Sequence, residues 1–297
     1  MRASEPTPSE ANPATRDTKA PTAPAPRARR PTSRSMPWYT SVWFEILQFA
    51  LLAVLLLWLV VRGALSMGYA WQWEKMPRYL YRTVDGELIF GPLLKGVGVT
   101  LNISWIAMIL TVAIGLLVAV LRLSNSVVGR AVARAYIELI RNTPILIQIL
   151  IIYFIIGRIF AIPRFWAGVM CLALYEGAFA AEIIRAGITA VHRGQAEAAR
   201  SLGLSTFDSY RDVILPQALP LMLPPLAGVM VNLVKHSAIV SVIAVFDLTT
   251  EARTIVADTF LAFEIWLVTA ALYLVITISL ALAAGAIERH YKGRRRS

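Results

Sequence analysis

The feature that most constrains this chain is a recurring one. Six nearly uncharged runs follow one another along its 297 residues: Trp43 to Val61, Val97 to Leu121, Asn142 to Gly157, Phe165 to Ile184, Ala218 to Phe246 and Ile265 to Ile287. A bilayer hydrocarbon core of ~30 Å is crossed by about 20 helical residues, and in lipid every backbone polar group must find its partner within the chain. Runs of this length and number predict an all-α membrane protein with six transmembrane helices. Composition agrees, since 57% of residues are hydrophobic and 16% charged, against ~45–50% and ~25% in soluble domains. A soluble globular enzyme is excluded.

The third run is short, and Arg141 and Arg158 flank it as residues able to snorkel to the two interfaces. The fifth is irregular, with Pro220, Pro224 and Pro225 near its start and Lys235 and His236 inside. Prolines remove backbone donors and loosen a helix, so a break is expected there.

Charge placement sets the orientation. Net charge is +11, and the Lys and Arg residues lie mainly in the tails and in short segments between runs, without the basic stripe or stacking aromatics of a nucleic-acid groove. No nucleic-acid partner is expected; the partner is the lipid bilayer. An even number of spans puts both tails on one side, where twenty Lys or Arg fall, against eight on the other. The positive-inside rule then places both termini in the cytoplasm. Residues 1–37 hold eight of the sixteen prolines and seven basic residues, the composition of a disordered tail. With the first apolar run starting only near Trp43, this tail is expected to stay attached, since a cleavable signal needs an apolar core near its start. The outside segment 68–92 carries Trp71, Trp73, Tyr79 and Tyr81, which suit either an interface-lying stretch or an ordinary linker. The sole cysteine, Cys171, excludes an internal disulfide and a Cys-rich metal site.

The polar segment 185–217, between the fourth and fifth runs, is long for a turn. Gly194 to Leu202 favours helix, Gly203 suits a C-terminal stop, and Ser205 or Thr206 can cap a second short helix toward Pro216. Within it stand Glu197, Ala198, Ala199, three residues, Gly203, nine residues, then Val213, Ile214, Leu215 and Pro216. This order resembles the E-A-A-x-x-x-G loop of permease subunits from ATP-binding-cassette (ABC) importers, which commonly carry Ile where Val213 stands. Three neighbouring stretches resemble the polar-amino-acid branch of that family, which serves histidine, glutamine, glutamate, arginine and opines. They are Glu138 through Arg141, Asn142, Thr143 and Pro144 with Gln148; Ala181, Glu182 and Arg185; and Leu215 to Pro220. The resemblance covers about residues 93–288.

That resemblance implies a type I importer core of five helices over 93–288, preceded by an additional transmembrane helix within 38–67 and followed by a basic cytoplasmic tail at 289–297. It implies that Glu197, Ala198, Ala199, Arg200, Gly203 and Pro216 form an ATPase-coupling element of two short helices. It also implies the partners: two ABC ATPase subunits carrying ATP and Mg, a second permease subunit, identical or homologous, and a periplasmic amino-acid-binding protein. The expected function is translocation of a polar amino acid across the bacterial inner membrane by alternating access, as a transport subunit and not an enzyme. The residues fit a lever: small Ala198 and Ala199 allow close approach to a foreign surface, Glu197 offers a carboxylate, and Gly203 turns the chain. No phosphate-binding G-x-x-x-x-G-K-[ST] stretch is present, since Gly91 to Gly96 is followed by Val97 and Gly98. No metal or cofactor is expected on this chain, because its three histidines are scattered and no H-E-x-x-H pair occurs.

Ionisable groups at membrane depth cost several kcal/mol unless paired or hydrated. Glu176, Asn232 and Lys235 are therefore candidates to line a substrate path and to meet the ammonium and carboxylate of an amino acid. The competing readings are a buried Glu176 to Lys235 pair that holds two helices together, or Lys235 snorkelling from an interface. His236 stands where the family commonly has Asp or Asn. Two rival functions stay open at this level: an ion-gradient-driven secondary transporter, which calls for an internal repeat that the sequence does not display, and a non-transporting membrane scaffold.

Overall fold

A computed structural model describes residues 42–66, 68–84 and 86–293. The expected N-terminal tail, 1–37, lies outside the described residues, as do 294–297 of the C-terminal tail. The chain divides into two units, 1–69 and 70–297. Among its described residues the first contains one helix, α1 (Val42–Ser66), 25 residues long with a mean hydropathy of 2.5 in its apolar window. At 1.5 Å per residue it reaches about 37 Å, enough to cross a bilayer.

The second unit begins with a short turn of helix, α2 (Pro77–Leu80), and an antiparallel hairpin, β1 (Tyr81–Val84) with β2 (Glu87–Phe90). Helices follow: α3 (Pro92–Leu123), α4 (Val127–Arg141), α5 (Ile145–Ile159), α6 (Arg164–Thr189), α7 (Arg193–Ser201), α8 (Thr206–Ile243), α9 (Leu248–Thr259) and α10 (Ala262–Gly293). With α1, the helices α3, α6, α8 and α10 are each long and apolar enough to span, and α4 with α5 makes a sixth candidate bent by 107°. The six expected runs therefore fall on α1, α3, α5, α6, α8 and α10.

Three features differ from expectation. The basic stretch before the third run is itself a helix, α4, which buries Ala133 and Ile137 and exposes Val127, Val128, Val132 and Leu139. Its alternation of apolar residues with Arg130, Arg134 and Arg141 broke the uncharged run that marks a span. Its partner α5 has 15 residues, about 22 Å of helix, shorter than a ~30 Å core, and it contains a wide π-turn at Ile152–Ile156. Third, α8 does not break at its prolines. Helix is continuous from Leu215 to Ser237 through Pro220, Pro224 and Pro225. The missing donors release the carbonyls of Pro216, Pro220 and Leu221, which fall within little more than one turn of each other. The irregularity sits instead at the ends, a π-turn at Ser209–Ile214 and a tight 3-10 segment at Ala238–Ile243 that stops at Ala244, in the left-handed region with φ 56°.

The core is built on the crossing of α3 and α6. A Cβ on Gly115 would lie 2.8 Å from the Ala180 Cβ and 3.1 Å from backbone atoms of Ala180 and Ala181. A Cβ on Gly177 would lie 2.9 Å from Ile114. On the same helix pair, Ile103, Ala107, Ala119, Leu172 and Ala173 are buried. Tyr136 of α4 donates its hydroxyl to the Leu174 carbonyl at 2.6 Å, so α4 locks onto the back of α6. At one end of this pair, Leu93 packs with Leu248, Ala252, Ile255, Leu261 and Ile265. At the other, Ala119, Ile184, Ile188, Ile214, Ala218 and Met222 form a separate cluster.

Asp247 caps α9. Its carboxylate accepts from the backbone N–H of Thr250 at 2.9 Å and of Thr249 at 3.2 Å, and burial holds its pKa above the ordinary carboxylate range despite those donors. A raised pKa means that the folded chain binds more protons here than the unfolded one. Stability from this site is present at acid pH and is lost as pH rises through the folded value. Asp247→Asn keeps a capping oxygen and does not titrate, so its apparent Tm relative to the wild type should rise as pH increases through that range; a pH-independent difference would refute the assignment. Gly115→Val should destabilise the second unit by about 1–3 kcal/mol through overpacking, read as a lower melting temperature in detergent. An unchanged melting temperature would mean that the α3–α6 seam has slack.

Candidate functional site

The segment after α6 is shaped by local rules. Thr189 ends α6, and the His192 Nδ1 accepts from the Gly194 N–H at 3.1 Å, capping α7. Nine residues later α7 closes on a left-handed glycine: Gly203 has φ 78°, its N–H donates to the Arg200 carbonyl, and the Leu204 N–H donates to the Ala199 carbonyl. This pair of bonds is the Schellman arrangement, which only a residue tolerant of positive φ can complete. Ser205 then caps the next helix by accepting from the Asp208 N–H at 3.2 Å. The helix and the turn stand where the sequence puts them. The second helix does not stay short: it runs on, through the wide turn at Ser209–Ile214, as the start of α8.

The six residues expected to act together fall on two faces. Glu197, Ala198, Arg200 and Pro216 are exposed, whereas Ala199 is 3% exposed and faces its own chain. Of the two alanines, Ala198 alone is available to an outside surface. The tip carries two large apolar side chains that sequence reasoning missed, Leu202 at 82% and Phe207 at 71% exposure. The signal was the pair of apolar residues placed on either side of Gly203 in an otherwise polar stretch. Behind the turn, Gln217 on α8 donates from Nε2 to the Val213 carbonyl at 2.8 Å and to the Gln195 Oε1 at 3.3 Å, tying α8 to α7. A cavity of about 590 Å³, lined in part by Leu116, Val120, Arg200, Ser209 and Tyr210, lies between the turn and the end of α3.

Glu182 anchors this end to the bundle. Its carboxylate meets Arg185 one turn on at 2.8 Å and Arg122, the last basic residue of α3, at 3.5 Å. The one-turn pair was legible from spacing; the third member, from a different helix, was not.

Within the membrane-spanning part, Glu176 on α6 is 2% exposed and its partner is His236, with Nδ1 2.8 Å from Oε1. The Tyr175 ring stands edge-on to the imidazole at 5.6 Å. Glu176 and Asn232 line one cavity of about 530 Å³, together with Phe179, Pro225, Gly228 and Ala281. Arg141 lies over the Phe179 ring at 5.3 Å. Lys235 is exposed and does not line this cavity. The structure therefore brings Glu176 and Asn232 together, leaves Lys235 apart, and replaces the Glu176 to Lys235 pair with Glu176 to His236. Helical geometry explains the exchange, because Asn232 and His236 are one turn apart and share a face, while Lys235 is rotated off it. Among the described residues no group of three or more His, Cys, Asp or Glu side chains is placed to hold a metal ion.

Comparison with known proteins gives a consistent result. Residues 111–293 match the family described as binding-protein-dependent transport system inner membrane component. The chain is 38% identical over 199 residues to a putative glutamine transport system permease protein of Rickettsia typhi, covering 66% of this chain and 91% of that one. It is 38% identical over 203 residues to the glutamine transport system permease protein of Escherichia coli K12, with 67% and 93% covered. A probable glutamine ABC transporter permease of Bacillus subtilis is 37% identical over 201 residues, with 67% and 93% covered. Among solved structures, an amino acid ABC transporter crystallised with histidines superposes with a TM-score of 0.62 at 42% identity, over 67% of this chain and 94% of that chain. An inward-facing methionine ABC transporter shares the fold at 21% identity, with a TM-score of 0.58, over 67% of this chain and 95% of that one. With its spans, its capped helix and turn at the end of α6, and these relatives, the chain belongs to the binding-protein-dependent transport family and is a multi-pass inner-membrane permease subunit of an ABC importer, a transport component and not an enzyme.

Proposed function

We propose that this permease translocates a polar amino acid inward by alternating access, driven by two ABC ATPase subunits that hold ATP and Mg, and fed by a periplasmic amino-acid-binding protein. The observation that carries this reading is the α7 turn. It presents Glu197, Ala198, Arg200, Leu202 and Phe207 outward on a rigid, glycine-closed support that continues without a break into α8. An ATPase cleft that closes on this turn pulls on α8, and Glu182 ties α6 to α3 at the same end of the bundle. A second permease subunit, identical or homologous, faces this one, and the α7 end lies in the cytoplasm with both termini. The substrate class follows from the resemblance and from relatives described as glutamine permeases; glutamine or a close polar amino acid is the first to test.

The path for the substrate runs past the cavity of Glu176 and Asn232. There the Glu176 carboxylate, held by His236, offers an acceptor to the substrate ammonium. Lys235 joins the path only from the exposed side of α8, where the second permease subunit closes it.

Two experiments test these roles. Gly203→Val places a branched residue at positive φ, costing roughly 1–2 kcal/mol of local conformation, about a tenfold loss of docked turn. In proteoliposomes with the cognate ATPase, binding protein and labelled glutamine, uptake should fall by about that factor or more with permease levels unchanged. Undiminished ATPase copurification and uptake would remove the coupling role. Glu176→Gln preserves shape and removes charge; uptake should drop while the assembled complex survives in detergent, whereas loss of assembly would assign the pair to helix packing.

A further inference from the structure

The segment between Ala70 and Pro92 lies before residue 111, where the family match begins. It is not a loose linker. Met76 and Tyr79 are buried against Leu93, Leu248 and Ile265, so Tyr79 serves the core and not an outer face. The Gln72 N–H donates to the Glu264 Oε1 at 2.7 Å, and the Gly91 N–H donates to the Leu80 carbonyl at 2.7 Å. A Cβ on Gly91 would collide with the Tyr79 carbonyl. The hairpin is therefore clamped at its root to α3, α9 and α10.

Its faces differ. The register pairs Tyr81 with Phe90 and Thr83 with Leu88, and alternation puts these four side chains on one face. That face is apolar yet open: Tyr81 is 48%, Leu88 70% and Phe90 62% exposed, with the two rings 6.2 Å apart. Arg82 and Ile89 occupy the other face. A two-stranded hairpin is marginal in water, and an exposed aromatic and aliphatic face on one needs a partner.

Position identifies the partner. On α3, Lys95 and Arg122 are 27 residues apart, about 40 Å along the helix, which matches a bilayer of ~40–45 Å measured across its headgroups. Lys95 then lies at headgroup level, and Phe90 is two residues before the start of α3. At the start of α10 a second aromatic group stands beside this segment: Trp71 stacks on Trp73 at 5.7 Å and meets Phe263 at 5.9 Å, with Trp266 one turn further on. Aromatic side chains gathered at the ends of two spans, with Arg82 and Lys95 among them, are what a membrane–water interface selects. From this juxtaposition we infer that the hairpin is an interfacial anchor, its Tyr81, Leu88 and Phe90 face lying in the headgroup and acyl boundary of the bilayer.

Cys171 is the sole cysteine and is buried, so surface cysteines can be spin-labelled without removing it. Leu88→Cys, Phe90→Cys and Arg82→Cys would be labelled in the full chain, with its ATPase, in nanodiscs of phosphatidylethanolamine and phosphatidylglycerol. Collisions with oxygen and with a water-soluble nickel chelate would then be compared. Labels at 88 and 90 should favour oxygen, at a depth about 5–10 Å below the phosphates, and the label at 82 should favour the chelate. Chelate-favoured collisions at all three sites would overturn the proposal and leave the face for a soluble protein, and spin–spin broadening at 88 would overturn it in favour of contact between two copies. Should either labelled variant fail to give a monodisperse complex, Thr83→Cys reports on the same face and must give the oxygen-favoured result.

Discussion

The structure depends on how closely α3 and α6 approach. In a bilayer, lipid tails are as apolar as leucine, so burying side chains between helices brings little of the gain that it brings in water. What remains is dispersion, and dispersion rewards contact only at short range. Gly115 and Gly177, against Ala180 and Ile114, remove the side chains that would hold the two axes apart. With that seam closed, a long stretch of α3 and α6 acts as a common spine. The two ends of the spine are then free to specialise, because neither has to supply the cohesion of the core.

At one end the specialised element is a capped helix and a closed turn. The turn after α7 is closed by two backbone bonds and a glycine at positive φ, and the following helix passes without interruption into the membrane. Three prolines in α8 leave its helix intact, while wide and tight turns mark its limits. The irregular hydrogen bonding of α8 is thus at its ends and not in its middle. The buried Ser209 hydroxyl, which has no hydrogen-bond partner, lies in the wide turn, next to the cavity behind α7.

At membrane depth the buried carboxylate of Glu176 is paired with His236. Glu176 would be expensive alone, and His236 supplies a hydrogen bond to its carboxylate when Nδ1 carries the proton. Glu176 and Asn232 are the polar residues of a cavity wall otherwise made of proline, glycine, alanine, valine, isoleucine and phenylalanine. The opposite end of the spine is held differently, by Asp247 capping α9 and by a hairpin clamped at its root.

Much of this was legible in the sequence. Local rules determined the spans, since about 20 uncharged residues suffice to define one, and they determined the stop at Gly203 and the cap at Ser205, since both depend on residues within a few positions. The family loop was readable for the same reason: its chemistry is contiguous. What depended on distant residues was not readable. The amphipathic α4 carries its apolar residues in a pattern that only a packed neighbour gives meaning, and Arg122 joins Glu182 from another helix. Glu176 had two cationic or titratable candidates one residue apart, Lys235 and His236. The rotation of α8 about its axis, set by packing against α6 and α10, selected His236. The sequence by itself determined which segments are helical and which of them enter the membrane, because those are matters of length, charge and neighbouring residues; the tertiary structure decided which faces meet, because a single residue's shift, about 100° of helix rotation, separates a buried pair from an exposed lysine.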